Sequence, residues 1–318
     1  MKSIKKAVVG TLARVAMSPF TVMPGRSFSG PLPAVIEKES KAALACEAHV
    51  RTLAEKIGER HIGRPQALAD SVDYISSVLH TYGYKAVPRP FQLMGKTVHN
   101  VEAILPGKSK KVLVVGAHYD SIPGSPGADD NASAVAGLLE IARLLNQLKP
   151  RVKYPLELVA YDLEEPPYYN TKHMGSYRHA EKLSSDEEKV HFMISLEMIG
   201  YFSDESGSQK YPSPFLKLMY PSKGNFILVT GTDGEVLDLF TEAFPRASKL
   251  PLETFEYRID LSDHMNYRDL GFRAVMVTDT AFYRNPNYHE PTDTPDTLDY
   301  ARMAEVVKGV FLTVASAE

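Results

Sequence analysis

Residues 116–133, GAHYDSIPGSPGADDNAS, place one histidine and three aspartates directly behind an apolar run, VLVV at 112–115, with no Lys or Arg inside the stretch. His118 and Asp120 close the run, and Asp129 and Asp130 lie in the loop that feeds the next helical pattern. Three other segments end in the same kind of residue. Glu164 and Glu165 follow PLELVAYDL, Glu197 closes HFMISL, and His289 follows AVMVTDTAFYRNPNY. Two histidines with several carboxylates and no thiolate make a hard, mixed nitrogen and oxygen donor set, suited to Zn²⁺, Mn²⁺ or Co²⁺.

Each group alone has an ordinary explanation. A His-x-Asp pair is common in loops, Asp129–Asp130 could cap a helix N-terminus, and Glu164–Glu165 could be a solvated pair. Glu197 resists such a reading, because a carboxylate inside the apolar run MISLEMIG is costly to bury without a partner. Taken together, the ordinary readings require independent accidents at the ends of four segments.

The elements that must position these groups alternate. Helical patterns at about 36–58 and 65–83 lead to FQLMGKTVHNVEAIL, whose alternation predicts a hairpin, and then to the strand KVLVVGA. In SAVAGLLEIARLLNQL, Leu138, Ile141, Leu145 and Leu148 share one helical face. Strand PLELVAYD, a helix near 174–184, strands HFMISLEMIG and NFILVTG, helix EVLDLFTEAF, strand RAVMVTD and a helix from about 296 follow. This order predicts an α/β fold, a mostly parallel sheet covered on both faces. In such sheets ligands bind beyond the carboxyl ends of the strands, where the acidic and histidine residues fall.

At 318 residues and 44% hydrophobic content the chain can bury a full core, and a formal net charge of −3 gives no basic field for nucleic acid or an anionic membrane. Cys46 is the sole cysteine, which excludes an intramolecular disulfide and a cysteine-based zinc site. Lys2, Lys5 and Lys6 precede AVVGTLARVA, a stretch similar to the start of a signal peptide, although Arg14 interrupts it. The expected organisation is an N-terminal extension at 1–31, an atypical signal or anchor, followed by one domain at 32–318. The location is accordingly cytoplasmic, or exported or membrane-associated through that extension. No G-x-S-x-G elbow and no phosphate loop occurs.

GAHYDS, GADDNAS, the Glu164–Glu165 pair, SLEMIGY, SDHMNYRDLGFRAVMVTDT and NYHEPTDTPDTLDY resemble, in order, the motif series of the M28 zinc aminopeptidases and carboxypeptidases, over about residues 97–300. The resemblance implies a single α/β domain, a twisted mixed sheet between helices, and an exopeptidase, an aminopeptidase foremost, acting on peptides. It implies two divalent cations, zinc foremost, bridged by Asp129, one also held by His118 and Glu197 and the other by Glu165 and His289. Asp120 would accept the second N–H of the His118 ring, and Glu164 would be the general base for the attacking water. Tyr288 matches a tyrosine that in some members donates to the developing oxyanion. Asp130 is expected to cap the helix or support the ligands, Asp263 and His264 to be structural, Asp293 to support the ligands from behind, and His173 to be a loop residue.

Three departures stand out. Glu197 occupies a position where most members carry Asp, PPYYNTKHM is inserted before Gly175–Ser176, and YFSDESGSQKYPSPFLKLMYPSKGN (201–225) is too long for a simple connection. Two other functions fit the resemblance less well. One is a glutaminyl cyclase, which shares the fold but uses one zinc; the other is a non-enzymatic, receptor-like metal-binding domain.

Overall fold

Apolar alternation and apolar runs build the sheet of this computed structural model, which describes residues 41–184 and 190–317. The extension at 1–31, its boundary with the domain and the first residues of the 36–58 helix lie outside the described residues. Val87–Leu93 (β1) and Lys96–Leu105 (β2) form the hairpin, turning through Met94 and Gly95 at φ 47° and 83°. Positive φ at both turn positions matches the twist of the strands.

Val112–His118 (β3), Leu156–Tyr161 (β4), Val190–Glu197 (β5), Ile227–Gly231 (β6), Leu252–Glu256 (β7) and Ala274–Thr278 (β8) complete an eight-stranded sheet of order β1-β2-β4-β3-β5-β8-β6-β7. β4, β3, β5 and β8 are mutually parallel at its centre. β2 joins β4 and β6 joins β8 antiparallel, so the sheet is mixed.

Side chains alternate across β3. Leu113, Val115 and Ala117 enter the larger core with residues of Lys41–Arg51 (α1), Pro65–Thr81 (α2), Ala134–Leu148 (α3), Gly234–Ala247 (α6) and Tyr300–Ala315 (α8). Val112 and Val114 face the opposite way, onto Ala180 and Leu183 of Gly175–Ser184 (α4) and Tyr267 of His264–Asp269 (α7). This period of two lets a strand bury both faces. α3 buries Leu138, Ile141 and Leu145, but Leu148 is 62% exposed. The helix ends there, with Lys149 left-handed (φ 43°), so its last residue projects past the covered face.

Sequence periodicity misses three short elements. β7 (LETFE) carries two glutamates among its apolar residues, unlike the equally short β6 and β8, α7 is a turn and a half, and Pro214–Met219 (α5) buries none of its residues. Among the described residues no helix is long and apolar enough to cross a membrane.

Candidate metal centre

His118 ends β3, Glu197 ends β5, and Glu164 and Glu165 stand just beyond β4, so parallel register brings all four to one edge of the sheet. Asp130 comes from the loop before α3, and His289, at a left-handed φ of 62°, from the loop after β8. His118 Nε2 lies 3.4 Å from Asp130 Oδ1 and 3.4 Å from Glu197 Oε2. On the other side, His289 Nε2 lies 3.2 Å from Asp130 Oδ2 and 3.5 Å from Glu165 Oε2. The donor atoms therefore converge as two triads, His118–Asp130–Glu197 and Asp130–Glu165–His289, which share one carboxylate.

The shared carboxylate is that of Asp130, where the resemblance had put Asp129. Both backbone N–H groups are held from below: Asp129 N and Asp130 N donate to the two oxygens of Asp293, at 2.9 and 3.1 Å. With the backbone fixed and Asp130 extended (φ −101°, ψ 88°), neighbouring side chains leave in different directions. That of Asp129 accepts from Gly200 N at 2.9 Å and from Asn285 Nδ2 at 2.7 Å, away from the histidines. Asp293 thus orients the loop rather than His289.

Asp120 sits behind His118, with Oδ1 3.3 Å from Nδ1, and its two oxygens accept from the backbone N–H groups of Glu164 and Glu165 at 3.2 and 3.0 Å. The carboxylate thus positions both glutamates, and together with the Asp120 backbone carbonyl, 3.2 Å from the same Nδ1, it positions the ring. Glu164 belongs to neither triad; its Oε2 is 3.9 Å from His118 Nε2. The Tyr288 ring stacks on that of His289, with centroids 3.8 Å apart. Asp263 is fully buried near the cluster, and His264 Nε2 donates to the carbonyl of Ile259. His173 lies in a loop against Tyr168 and belongs to neither triad. The longer reach of Glu197 is accommodated by Ser262, whose Oγ donates to Oε2 at 2.7 Å and also meets Ser195 Oγ.

Electrostatics make the cluster unstable without a counter-charge. Burial pushes the Glu164 and Glu165 carboxyls well above their usual range, and neighbouring carboxylates add to it; burial likewise raises Glu197. Burial opposes charge on Asp130 as well, but the His118 and His289 rings on either side of it hold it below the usual range. His118 Nε2 and Glu165 Oε1 are buried with no hydrogen-bond partner. Buried ligand-type atoms without a hydrogen-bond partner, gathered among acidic oxygens, fit a divalent cation.

One contributor was not legible in the sequence. Arg60 is fully buried, and its guanidinium donates to the carbonyls of Leu53, Gly58, Tyr119, Pro126 and Gly127 at 2.7–3.1 Å. It fastens both ends of the loop between β3 and the Asp129–Asp130 segment. Gly127 is needed there: at φ 61°, a Cβ would come within 2.3 Å of the Asp130 carbonyl and 3.0 Å of Arg60 Nη2. A lone arginine in GERHIGRP carries no spacing signal.

Fold and donor set define an α/β protein with a buried carboxylate and histidine metal centre at the carboxyl ends of its parallel strands. The model of peptidase family M28 matches residues 100–314, and the chain belongs to that family. It is 40% identical over 280 residues to the uncharacterized protein YfbL of Escherichia coli K12, covering 83% of this chain and 85% of that one. It is 31% identical to a probable leucine aminopeptidase of Arthroderma benhamiae, over 66% of this chain but only 55% of that relative's length. Similar solved folds include a zinc aminopeptidase from Bacillus subtilis (TM-score 0.69, 16% identity, 86% of this chain and 94% of that one) and a glutaminyl cyclase from Bacteroides thetaiotaomicron (TM-score 0.66, 20% identity, 87% and 98%).

Proposed function

We propose that this chain is a zinc-dependent aminopeptidase with two metal sites that share the Asp130 carboxylate. The observation that carries the reading is the pair of triads meeting at that one side chain, with buried His118 Nε2 lying 3.4 Å from an oxygen of Asp130 and 3.4 Å from one of Glu197. His118 and Glu197 would complete one site, Glu165 and His289 the other. Divalent cations bound there would polarise the scissile carbonyl and make a water more acidic. Family membership and the probable leucine aminopeptidases among the relatives support the peptidase class.

The residues divide the remaining work. Glu164 is left free of both triads, and Asp120, by accepting from its backbone N–H, fixes where its carboxylate starts. It takes the proton of the attacking water and delivers it to the leaving amine. Asp120 also holds the His118 ring by its second nitrogen, leaving Nε2 free to ligate. Tyr288, stacked on His289 and lining the adjoining cavity, donates to the oxygen that becomes negative in the tetrahedral intermediate. Tyr288→Phe keeps the ring, so it should lower kcat and kcat/KM together by about 10–10³-fold with metal content unchanged; wild-type kinetics would remove Tyr288 from catalysis.

The test is to assay purified protein on unblocked, N-blocked and C-blocked peptides and measure metal on the same sample. Hydrolysis confined to free N-termini, with two ions per chain, is expected. A fully active sample holding one ion would overturn the two-site reading, and ring closure of N-terminal glutamine without hydrolysis would move the chain to the cyclases.

A further inference from the structure

A cavity of about 680 Å³ opens beside the cluster, reaching from Glu164, Glu197 and His289 to an apolar far end. Its floor is Leu228, Phe255 and Met276 from β6, β7 and β8, and its roof carries Tyr211, Leu216 and Tyr220 from the long 201–225 segment. We propose that this chamber receives the substrate's N-terminal side chain and that the roof makes the enzyme select bulky aromatic residues over leucine and smaller ones. The proposal rests on the aminopeptidase reading and adds the side chain it prefers.

The roof is tied down at both ends. Buried Gln209 accepts from Arg284 Nε at 2.9 Å and donates to Thr280 Oγ1 at 2.9 Å, and Tyr220 Oη donates to the Thr254 carbonyl at 2.8 Å. Between these anchors α5 buries none of its residues, and Leu218 on its outer side is 84% exposed. Leu216 on the same helix faces the chamber. This segment is thus fixed in place without belonging to the core, as a wall for a ligand would be. The other inserted stretch contributes Pro166 and Tyr169 to the same lining, and Glu197 stands on it too, so all three departures from the family pattern meet here.

Size and ring geometry argue for aromatic occupants. An aromatic side chain fills more of this volume than a leucine does, and wall atoms facing a void lose their dispersion contacts. An aromatic ring buries more apolar area and meets rings already set edge to face: Tyr220 and Phe255 lie 6.1 Å apart at 82°. Lys210 and Arg258, the two cations on the lining, are exposed, and Arg258 is bonded to Asp260, so the far end offers no buried charge for an acidic side chain.

The experiment compares aminoacyl amides of Trp, Phe, Leu and Ala on wild type and Leu216→Arg, a change in a helix with no buried residue. Aromatic amides should exceed leucine by about tenfold and alanine by about 10²-fold or more in kcat/KM. Leu216→Arg should raise KM for the aromatic amides about tenfold or more and affect the alanine amide far less. The chain has no tryptophan, so fluorescence of added L-tryptophanol reports binding directly, and Leu216→Arg should weaken it. Leucine or alanine amides hydrolysed as well as aromatic ones, or equal slowing of all amides by Leu216→Arg, would overturn the chamber proposal while the aminopeptidase reading stands. Tryptophanol bound by wild type and lost in the variant, with no amide hydrolysed, would support the chamber and sink the aminopeptidase reading.

Discussion

The two sides of the site are built on opposite principles. On the metal side the functional carboxylates are buried and the chain that carries them is held by second groups: Asp293 under the Asp130 loop, Asp120 under the backbone of both glutamates, Ser262 on Glu197, and Arg60 inside the β3 loop. On the chamber side the roof is anchored at its ends, and its helix contributes nothing to the core. Positioning charge to a fraction of an ångström needs a rigid polar surround. Apolar recognition needs only volume and area, so that wall can differ between relatives while the chemistry stays the same.

The contrast breaks most decisively at the paired aspartates. Asp130→Asn should abolish binding at both metal sites and lower activity by about 10³-fold or more, while Asp129→Asn, whose side chain faces Gly200 and Asn285, should retain metal. Metal analysis of the two variants decides it; exchanged phenotypes would return the shared carboxylate to Asp129. Next comes Glu164→Gln, expected to lower kcat by about 10²–10⁴-fold with metal content near wild type. Glu165→Gln should lose metal instead, and a Glu164 variant stripped of metal would refute the division of labour between them.

Arg60→Met tests the rigid side through stability. It removes a charged donor from five backbone carbonyls, three of them in buried contacts, so a loss of about 3 kcal/mol is expected, read as a lower Tm and weaker metal binding. Arg60→Lys should not restore it, because an ammonium lacks the planar fork that reaches carbonyls on both sides. An unchanged Tm in Arg60→Met would mean that the loop does not depend on that residue. Smallest of all is Leu218→Ser on the outside of the roof, which should alter stability by no more than about 0.5 kcal/mol and leave aminoacyl preference as it was. A large destabilisation would show that the roof is part of the core after all.

Much of this was written in the chain itself. Donor types, their placement after apolar runs and the α/β alternation are local properties, because a strand's period and the chemistry of His, Asp and Glu do not depend on distant residues. The family resemblance added the roles. What the chain could not settle alone was which of two adjacent aspartates faces the histidines. That choice is made by Asp293, more than 160 residues away, through hydrogen bonds to both backbone N–H groups, and by Asn285 and Gly200, which hold Asp129 on the far side. Arg60 was invisible for the same reason: its partners are backbone carbonyls, which leave no trace in residue identity. The long segment at 201–225 announced itself only as an excess of length, and became a roof over β6, β7 and β8 once Gln209 and Tyr220 found their anchors. Side-chain direction and loop placement are set by non-local hydrogen bonds and packing, and those exist only in the folded chain.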